Sequence, residues 1–343
     1  MLKAAAAIAA IAFAIGGVFL LRGGGEVAAR SDDAQHIPAA GKPATILAFG
    51  DLMLDRYVRA DIEKYGETYP LQLIAPSFAH ADIVVANAEG VFTTRPSLSI
   101  AATSTLRFTF DPAMLPVLKR QGIDVLSQAN NHADDFGASG LLESQRAIIA
   151  AGLATFGDPS NRKPGPYLTT IEGQRVAFIG YNQFTGGGDA SVRAAIADAK
   201  ALGAFVIVYP HWGIEYDSAF TPLQQEEAHR FVDAGADAVL GSHPHVIEPI
   251  ELYHGKPIFY SLGNFIFDQA PDGPTAEGLA VSIALSSTTA SYRLLPFAIR
   301  HAQVVPMDSE DARAALAAIA SSTEAALGRQ PPGLASGMFS VPR

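Results

Sequence analysis

Nine histidines occur in the 343 residues. Two of them stand two places apart in Gly241-Ser242-His243-Pro244-His245-Val246, directly after the apolar run GADAVL. A third, His211, closes the apolar run AFVIVYP. Asp51 follows TILAFG, Glu89 follows DIVVAN with one residue between, and Asn130-Asn131-His132 follows IDVLSQ. Taken singly, each has an ordinary explanation: Asp and Asn form turns and cap helices, and an isolated imidazole is a packed, hydrogen-bonded ring. Taken together, five apolar runs each end in a residue suited to metal binding or acid–base work. The chain has no cysteine, so a metal must be held by nitrogen and oxygen. Imidazole, carboxylate and amide oxygen together suit Mn²⁺, Zn²⁺ or Fe²⁺. Two such ions about 3.5–4 Å apart need a bridging carboxylate, and they can then clamp the attacking and leaving oxygens of a phosphoester displacement. Asp51 or Glu89 can bridge one or two ions, and His132, where it is not itself a ligand, is placed to act as a general acid.

The elements that must position these residues follow from the spacing of apolar residues, turn formers and caps. TILAFG, DIVVAN, IDVLSQ, AFVIVY and ADAVLG read as short buried strands. Helices are expected over 111–122 (Asp111 as N-cap, Pro112 as first residue), 138–151, 190–202 and from Thr221-Pro222 to Gly235. YLTTIEGQRVAFIGYN reads as a hairpin turning at Glu172-Gly173. After residue 247 the helices cease, and strands joined by tight turns run to Met307. Residues 309–327 form a helix, and the final GRQPPGLASGMFSVPR is expected to be loose. Strand–helix alternation followed by a β-rich half indicates an α/β fold of layered sheets flanked by helices. In such folds ligands gather outside the carboxyl ends of the strands.

Composition narrows the partners. The formal net charge is −10, which argues against a nucleic-acid binder. Binding of a polyanion then requires a metal or a local basic group. An uncharged run from Ala4 to Leu21 lies between Lys3 and Arg22. It reads as an uncleaved inner-membrane anchor with the body facing outward, or as a signal cleaved after Ala29. Gly23-Gly24-Gly25 directly behind it disfavours a buried core helix. Both readings place the protein in the cell envelope. Residues 1–22 are thus the anchor or signal, 23–44 a linker, 45–308 the main domain, and 309–343 a C-terminal helix and tail.

In order along the chain, FGDLMLDR, NAEG, QANNHADDFG, HWGIEY, DAGADAVLGSHPHVIEPIE and KPIFYSLGNFIFD resemble the CapA-type capsule-synthesis proteins of poly-γ-glutamate capsules. The resemblance spans roughly Ile46 to Asp268. That family is similar to the calcineurin-like metallophosphoesterases, which implies a four-layer α/β/β/α sandwich. Carried over residue by residue, the resemblance implies that Asp51, Glu89 and His245 hold one metal. Glu89, Asn131, His211 and His243 hold the other, and His132 protonates the leaving group. Two departures stand out. Met53 occupies the place of a first-motif histidine, which implies one firm metal position and one weak or absent. Asp55 stands where a glycine is common, and is expected to pair locally with Arg56. Arg56, Asn130, Trp212, Glu215 and Asn264 are candidate substrate contacts, although Trp212 can equally pack beneath the site and Asn264 can equally serve a turn. Three readings follow: a metal-dependent hydrolase of phosphoesters or γ-glutamyl polymer working with membrane-bound capsule synthase subunits; a non-catalytic, metal-dependent polymer-binding component of that complex; or a general phosphodiesterase.

Overall fold

The computed structural model describes residues 42–98, 106–269 and 272–343. The anchor or signal expected over 1–22, and all of the linker except its last residues, lie outside the described residues. No helix among the described residues is long and apolar enough to cross a membrane.

In chain order the first half runs β1 (Ala44–Leu52), α1 (Arg56–Tyr65), β2 (Ile83–Ala88), β3 (Val91–Phe92), β4 (Thr109–Phe110), α2 (Met114–Arg120), β5 (Val125–Ser127), α3 (Gly137–Ala150) and β6 (Ala154–Phe156). The hairpin β7 (Tyr167–Ile171) and β8 (Gln174–Asn182) follows, then α4 (Ala190–Ala201), β9 (Phe205–His211), α5 (Pro222–Asp233) and β10 (Ala238–Leu240). The rest is β11 (Ile250–Tyr253), β12 (Lys256–Phe259), β13 (Asn264–Ile266), β14 (Glu277–Leu285), β15 (Thr289–Arg300), β16 (Gln303–Pro306), α6 (Ser309–Leu327) and β17 (Met338–Pro342).

Two sheets face one another. The first has the order β16-β15-β14-β1-β2-β5-β6, with β13 also pairing β1 and β17 pairing β15. The second has the order β11-β12-β10-β9-β8-β7. Strands β1, β2, β5 and β6 are parallel, as are β8, β9, β10 and β12. Parallel strands joined through helices are covered on both faces, so their sequences are continuous apolar runs without polar alternation. Successive residues accordingly enter different cores. Ile46 and Val85 of the first sheet meet Phe178, Ile207 and Leu240 of the second between the sheets. Their neighbours Leu47 and Val84 pack outward with Val58 of α1, Leu118 of α2 and Ile148 of α3. Ile179 and Val208 pack outward on the other side with Ile196 of α4 and Phe231 of α5. The result is the α/β/β/α sandwich.

Local signals set the boundaries. Thr221 caps α5 through a full capping box with Gln224, which satisfies two amide donors that a helix start leaves open. α2 begins at Met114, later than expected: Asp111 does accept from Ala113 N (2.9 Å), but the turn it caps closes with three-residue bonds, Met114 N to Asp111 O (3.0 Å) and Leu115 N to Pro112 O (3.1 Å). The C-terminal segment is not loose. β17 pairs antiparallel with β15, Phe339 opposite Tyr292, and buries Phe339 and Val341 while Met338, Ser340 and Pro342 stay exposed. Five residues of period-2 alternation were masked by the Gly- and Pro-rich stretch before them. Helix α6 sends Leu316, Ile319 and Ala320 into the core between the sheets.

Candidate metal centre

The C-terminal ends of β1, β2, β5, β9 and β10 open on the same side of the sandwich, and their side chains form one buried cluster. Asp51 is placed by the close approach of β1 to the 262–264 segment. A Cβ on Gly50 would stand 1.8 Å from the Gly263 carbonyl oxygen, so only glycine permits it. Asp51 N donates to that carbonyl at 3.2 Å. The carboxylate is fully buried; Oδ1 accepts from Asn87 Nδ2 (2.8 Å) and Oδ2 from His243 N (2.9 Å).

Glu89 occupies the centre. Its Oε1 lies 3.9 Å from His211 Nε2, 3.8 Å from His245 Nε2 and 4.0 Å from His132 Nε2. Its Oε2 is buried and has no hydrogen-bond partner. Burial, reinforced by the negative charge of Asp51, holds Glu89 well above the usual carboxylate range. A buried carboxylate oxygen without a partner costs free energy unless a cation or donor meets it.

His211 ends β9 and is fully buried. Ser242 Oγ donates to Pro210 O (3.2 Å) and can accept the Nδ1–H of His211 (3.1 Å). The Asn87 amide nitrogen lies 3.2 Å from the same Nδ1 and gives one of its two hydrogens to Asp51 Oδ1. Nε2 faces the cluster, 2.8 Å from Asn131 Oδ1 and 3.2 Å from His243 Nδ1. Burial lowers His211 well below the ordinary imidazole value and, with the neighbouring His245, lowers His243 to about 3. Both rings are therefore neutral donors at physiological pH, the form a metal requires. His245 runs the other way. Burial opposes its charge, but Glu89 and Asp51 beside it prevail and raise it to about 9.

The turn that carries the paired histidines is strained. His243 has φ 97° and His245 φ 61°, on either side of Pro244. Positive φ at such residues costs on the order of 1–3 kcal/mol each and persists where the surroundings over-determine it. Here the turn is held by backbone contacts: His243 N donates to Asp51 Oδ2 (2.9 Å) and Tyr216 N to Pro244 O (2.8 Å).

Ligand-capable atoms of Glu89, His211 and His243 all lie within 4.8 Å of one another, and so do those of Asp51, Glu89 and His245. The two groups share Glu89. Three imidazoles, two carboxylates and the Asn131 amide oxygen form a hard-to-borderline donor set suited to a divalent cation, and the partnerless Glu89 oxygen fits the same ion. These buried groups could hold a metal.

His132 stands at the edge of the cluster. Its Nδ1 is 3.1 Å from Asp135 Oδ2, and its ring lies against that of Phe108, centres 4.3 Å apart and planes tilted by 39°. Arg56 lies on the rim, its guanidinium 5.1 Å from the Phe108 ring centre and 5.5 Å from that of Phe267. Phe184 covers His243, with ring centres 4.2 Å apart.

Several expected contacts are placed differently. Arg56 does not pair with Asp55; its Nε donates to Asp268 Oδ2 at 3.1 Å and its Nη2 to Oδ1. Asp55 is fully buried and instead takes Arg59 Nε, one helical turn on, at 3.2 Å. Trp212 is not at the site: fully buried against Phe231 and Tyr260, it donates Nε1–H to Tyr260 O. Asn130 is also fully buried, bonded to Asn87 Oδ1, Ala88 O and His132 N, and so is closed to substrate. Asn264 is buried behind His245, with Oδ1 2.9 Å from Nδ1. Glu215 is exposed near the mouth, close enough for its charge to raise both Glu89 and His245. Met53 turns into the outer core, where its sulfur accepts from Asp55 N at 3.0 Å. Three residues with no role in the sequence reading complete the cluster: Asn87, Asp135 and Ser242. Only Asp135 left a trace, three places after His132 in NHADD.

Comparison with known proteins agrees with the family resemblance. The PGA biosynthesis protein CapA of Bacillus subtilis (strain 168) is 31% identical over 278 residues, covering 76% of this chain and 73% of that one. The capsule biosynthesis protein CapA of Bacillus anthracis is 30% identical over 292 residues, covering 77% and 70%. Among solved structures, TT1561 of Thermus thermophilus matches with a TM-score of 0.40 and 12% identity, over 70% of this chain and 94% of that chain. The model of the bacterial capsule synthesis protein PGA_cap matches residues 45–269, and with these relatives it shows that the chain belongs to that family.

Proposed function

We propose that this protein is a cell-envelope component of capsule or poly-γ-glutamate synthesis, export or attachment, and that its buried cluster is a metal-dependent hydrolytic site. The observation that carries this reading is Glu89, shared between two groups of possible ligands and left with an unpartnered buried oxygen. Glu89, Asn131, His211 and His243 would hold one ion, and Asp51, Glu89 and His245 a second. A divalent metal bound there supplies Lewis-acid polarisation of a phosphoryl or carboxyl oxygen and acidifies water.

The chain's own residues do the rest. Ser242 fixes His211 with Nε2 toward the cluster. Asp135 holds Nδ1 of His132 and turns Nε2 inward, where a proton can be handed to a leaving oxygen. Arg56, locked between two aromatic rings and Asp268, presents positive charge at the rim. That charge suits an anionic substrate, a phosphoester or an acidic polymer, on a protein whose own net charge is −10.

One observation favours a second reading. Met53 has its sulfur on a backbone N–H, and among the described residues the group of Asp51, Glu89 and His245 gathers no fourth histidine or carboxylate. A site with one firm ion would serve as a metal-dependent holder of polymer carboxylates, the chemistry belonging to a synthase partner.

Purified full-length chain separates the readings. Bound metal is quantified, and cleavage of bis(p-nitrophenyl) phosphate and of poly-γ-glutamate is followed for the wild type and His132→Ala. Turnover that needs metal and falls in His132→Ala supports the hydrolase. Metal retention without turnover supports the binding component. Failure to retain Mn²⁺ or Zn²⁺ removes both.

A further inference from the structure

A backbone carbonyl outside the cluster decides which nitrogen of His245 faces it. The side chain of Asn264 is fully buried between two sets of neighbours. On one side its Nδ2 lies 3.0 Å from the Thr275 carbonyl oxygen and 2.9 Å from Gln269 Oε1. On the other its Oδ1 lies 2.9 Å from His245 Nδ1. A backbone carbonyl only accepts, so the amide must present its NH₂ group to Thr275. The amide oxygen is thereby left to His245, and because that oxygen also only accepts, Nδ1 must carry a hydrogen. In the neutral ring the lone pair then sits on Nε2, the atom 3.8 Å from Glu89 Oε1. The order propagates outward as well: Gln269 accepts with its oxygen, so its own NH₂ is presented to Tyr216 Oη at 3.1 Å.

The alternative partner for Nδ1 is Asp51, whose Oδ2 is 3.5 Å away. A hydrogen donated there would occupy an oxygen that the cation needs. Asn264 draws that hydrogen away.

We infer that Asn264, oriented by the Thr275 carbonyl, is a positioning residue that selects the Nε2-ligating form of His245 and keeps the His245 hydrogen off Asp51, so that the Asp51–Glu89–His245 group can hold a divalent cation without a ligand from residue 53. This rests on the metal-binding reading of the cluster. Orienting groups of this kind typically change metal affinity by about 10–100-fold.

The test uses the full-length chain with ¹⁵N-labelled histidine. With Zn²⁺ bound, the wild type is expected to show a hydrogen-bonded, slowly exchanging Nδ1–H on His245. That signal is lost in Asn264→Ala and in Asn264→Leu, the second of which preserves the buried volume. Equilibrium dialysis against Zn²⁺ is expected to show two binding events in the wild type. In both variants one event weakens about 10–100-fold and the other is unchanged. An unprotonated Nδ1 in the wild type overturns the inference directly. Zn²⁺ binding that both variants leave unaltered overturns the positioning role while sparing the metal site. A wild type that takes up no Zn²⁺ overturns the metal reading and this inference with it, even with Nδ1–H in place.

Discussion

Asp135 grips His132 by the ring nitrogen that faces away from the cluster: Oδ2 is 3.1 Å from Nδ1, while Nε2 points to Glu89 Oε1 at 4.0 Å. The same Oδ2 accepts from Phe108 N at 2.7 Å, and the Phe108 ring lies against the imidazole. Plane and direction of the ring are therefore both set. His132→Ala is expected to lower kcat by about 10²–10⁴-fold, the usual contribution of a general acid, with bound metal unchanged. In Asp135→Asn an oxygen in the place of Oδ2 puts the NH₂ group where Oδ1 stands, 3.3 Å from the same protonated Nδ1 of His132. The variant should lose about 10–100-fold by the same orienting logic that governs groups behind a catalytic ring. Rates and metal content measured on the same samples check this, and metal lost together with rate would place His132 among the ligands.

Glu89→Gln tests the shared carboxylate. An amide has one weak oxygen donor and cannot bridge, so the substitution is expected to abolish metal binding at both groups of ligands. The readout is thermal stability. A ligand that binds only the folded state, supplied at 100 times its Kd, adds about 2.7 kcal/mol. The wild type should therefore melt several degrees higher with Mn²⁺ than with chelator, and Glu89→Gln should show no difference. A Mn²⁺-induced rise that survives in the variant would remove Glu89 from the ligand set.

The parts of the site legible in the sequence are those written locally. Asp51, Glu89, Asn131, His211, His243 and His245 each follow a continuous apolar run, and such runs mark buried parallel strands whose ends converge. The structure brings all six into one cluster together with His132. What escaped depends on contacts distant in sequence. Arg56 finds Asp268 across 212 positions, so its neighbour Asp55 looked like the natural partner. Trp212, adjacent to His211, points to the opposite core because successive residues of a covered strand enter different layers. Asn87 looked like a strand terminator, and its role as the link between Asp51 and Asn130 appears only when three strand ends meet. The closing strand β17 was hidden by composition, since its alternation is only five residues long.

Asp55 carries a structural load that its sequence neighbours do not reveal. Fully buried, it caps α1 through Arg56 N (2.9 Å), accepts from Arg59 Nε (3.2 Å), and takes both Thr109 N (2.8 Å) and Thr109 Oγ1 (3.1 Å). Removing one member of a buried, hydrogen-bonded charge set leaves its partners unsatisfied, at a cost of about 3–5 kcal/mol. Asp55→Ala should destabilise by that order in a denaturant titration. Asp55→Asn keeps one accepting oxygen but turns an NH₂ group toward the donors on the other side, and should cost a comparable amount. A loss below about 1 kcal/mol in Asp55→Ala, the scale of an exposed pair, would show that the ion pair and cap contribute little.

Glu248 predicts a pH dependence unrelated to the metal. Burial, only partly offset by the Gln224 amide that donates to Oε2 at 2.8 Å, raises its carboxyl to about 8, and Oε1 has no partner. In the unfolded chain the same group titrates near 4.5. Between those values the folded state holds a proton that the unfolded state has released, so stability falls as pH rises. The loss begins near pH 4.5, accumulates through the neutral range and levels off above about 8. At roughly 1.4 kcal/mol per pH unit, the full effect is on the order of 3–5 kcal/mol. Glu227, raised in the same direction chiefly by burial, adds to the slope. Glu248→Gln retains a hydrogen-bonding group of the same shape without the charge. It should therefore be more stable than the wild type at pH 8, nearly equal to it at pH 5, and correspondingly flatter between. Denaturant titrations of metal-free protein at these two pH values decide the matter, and parallel wild-type and variant curves would show that Glu248 is ionised in the folded state.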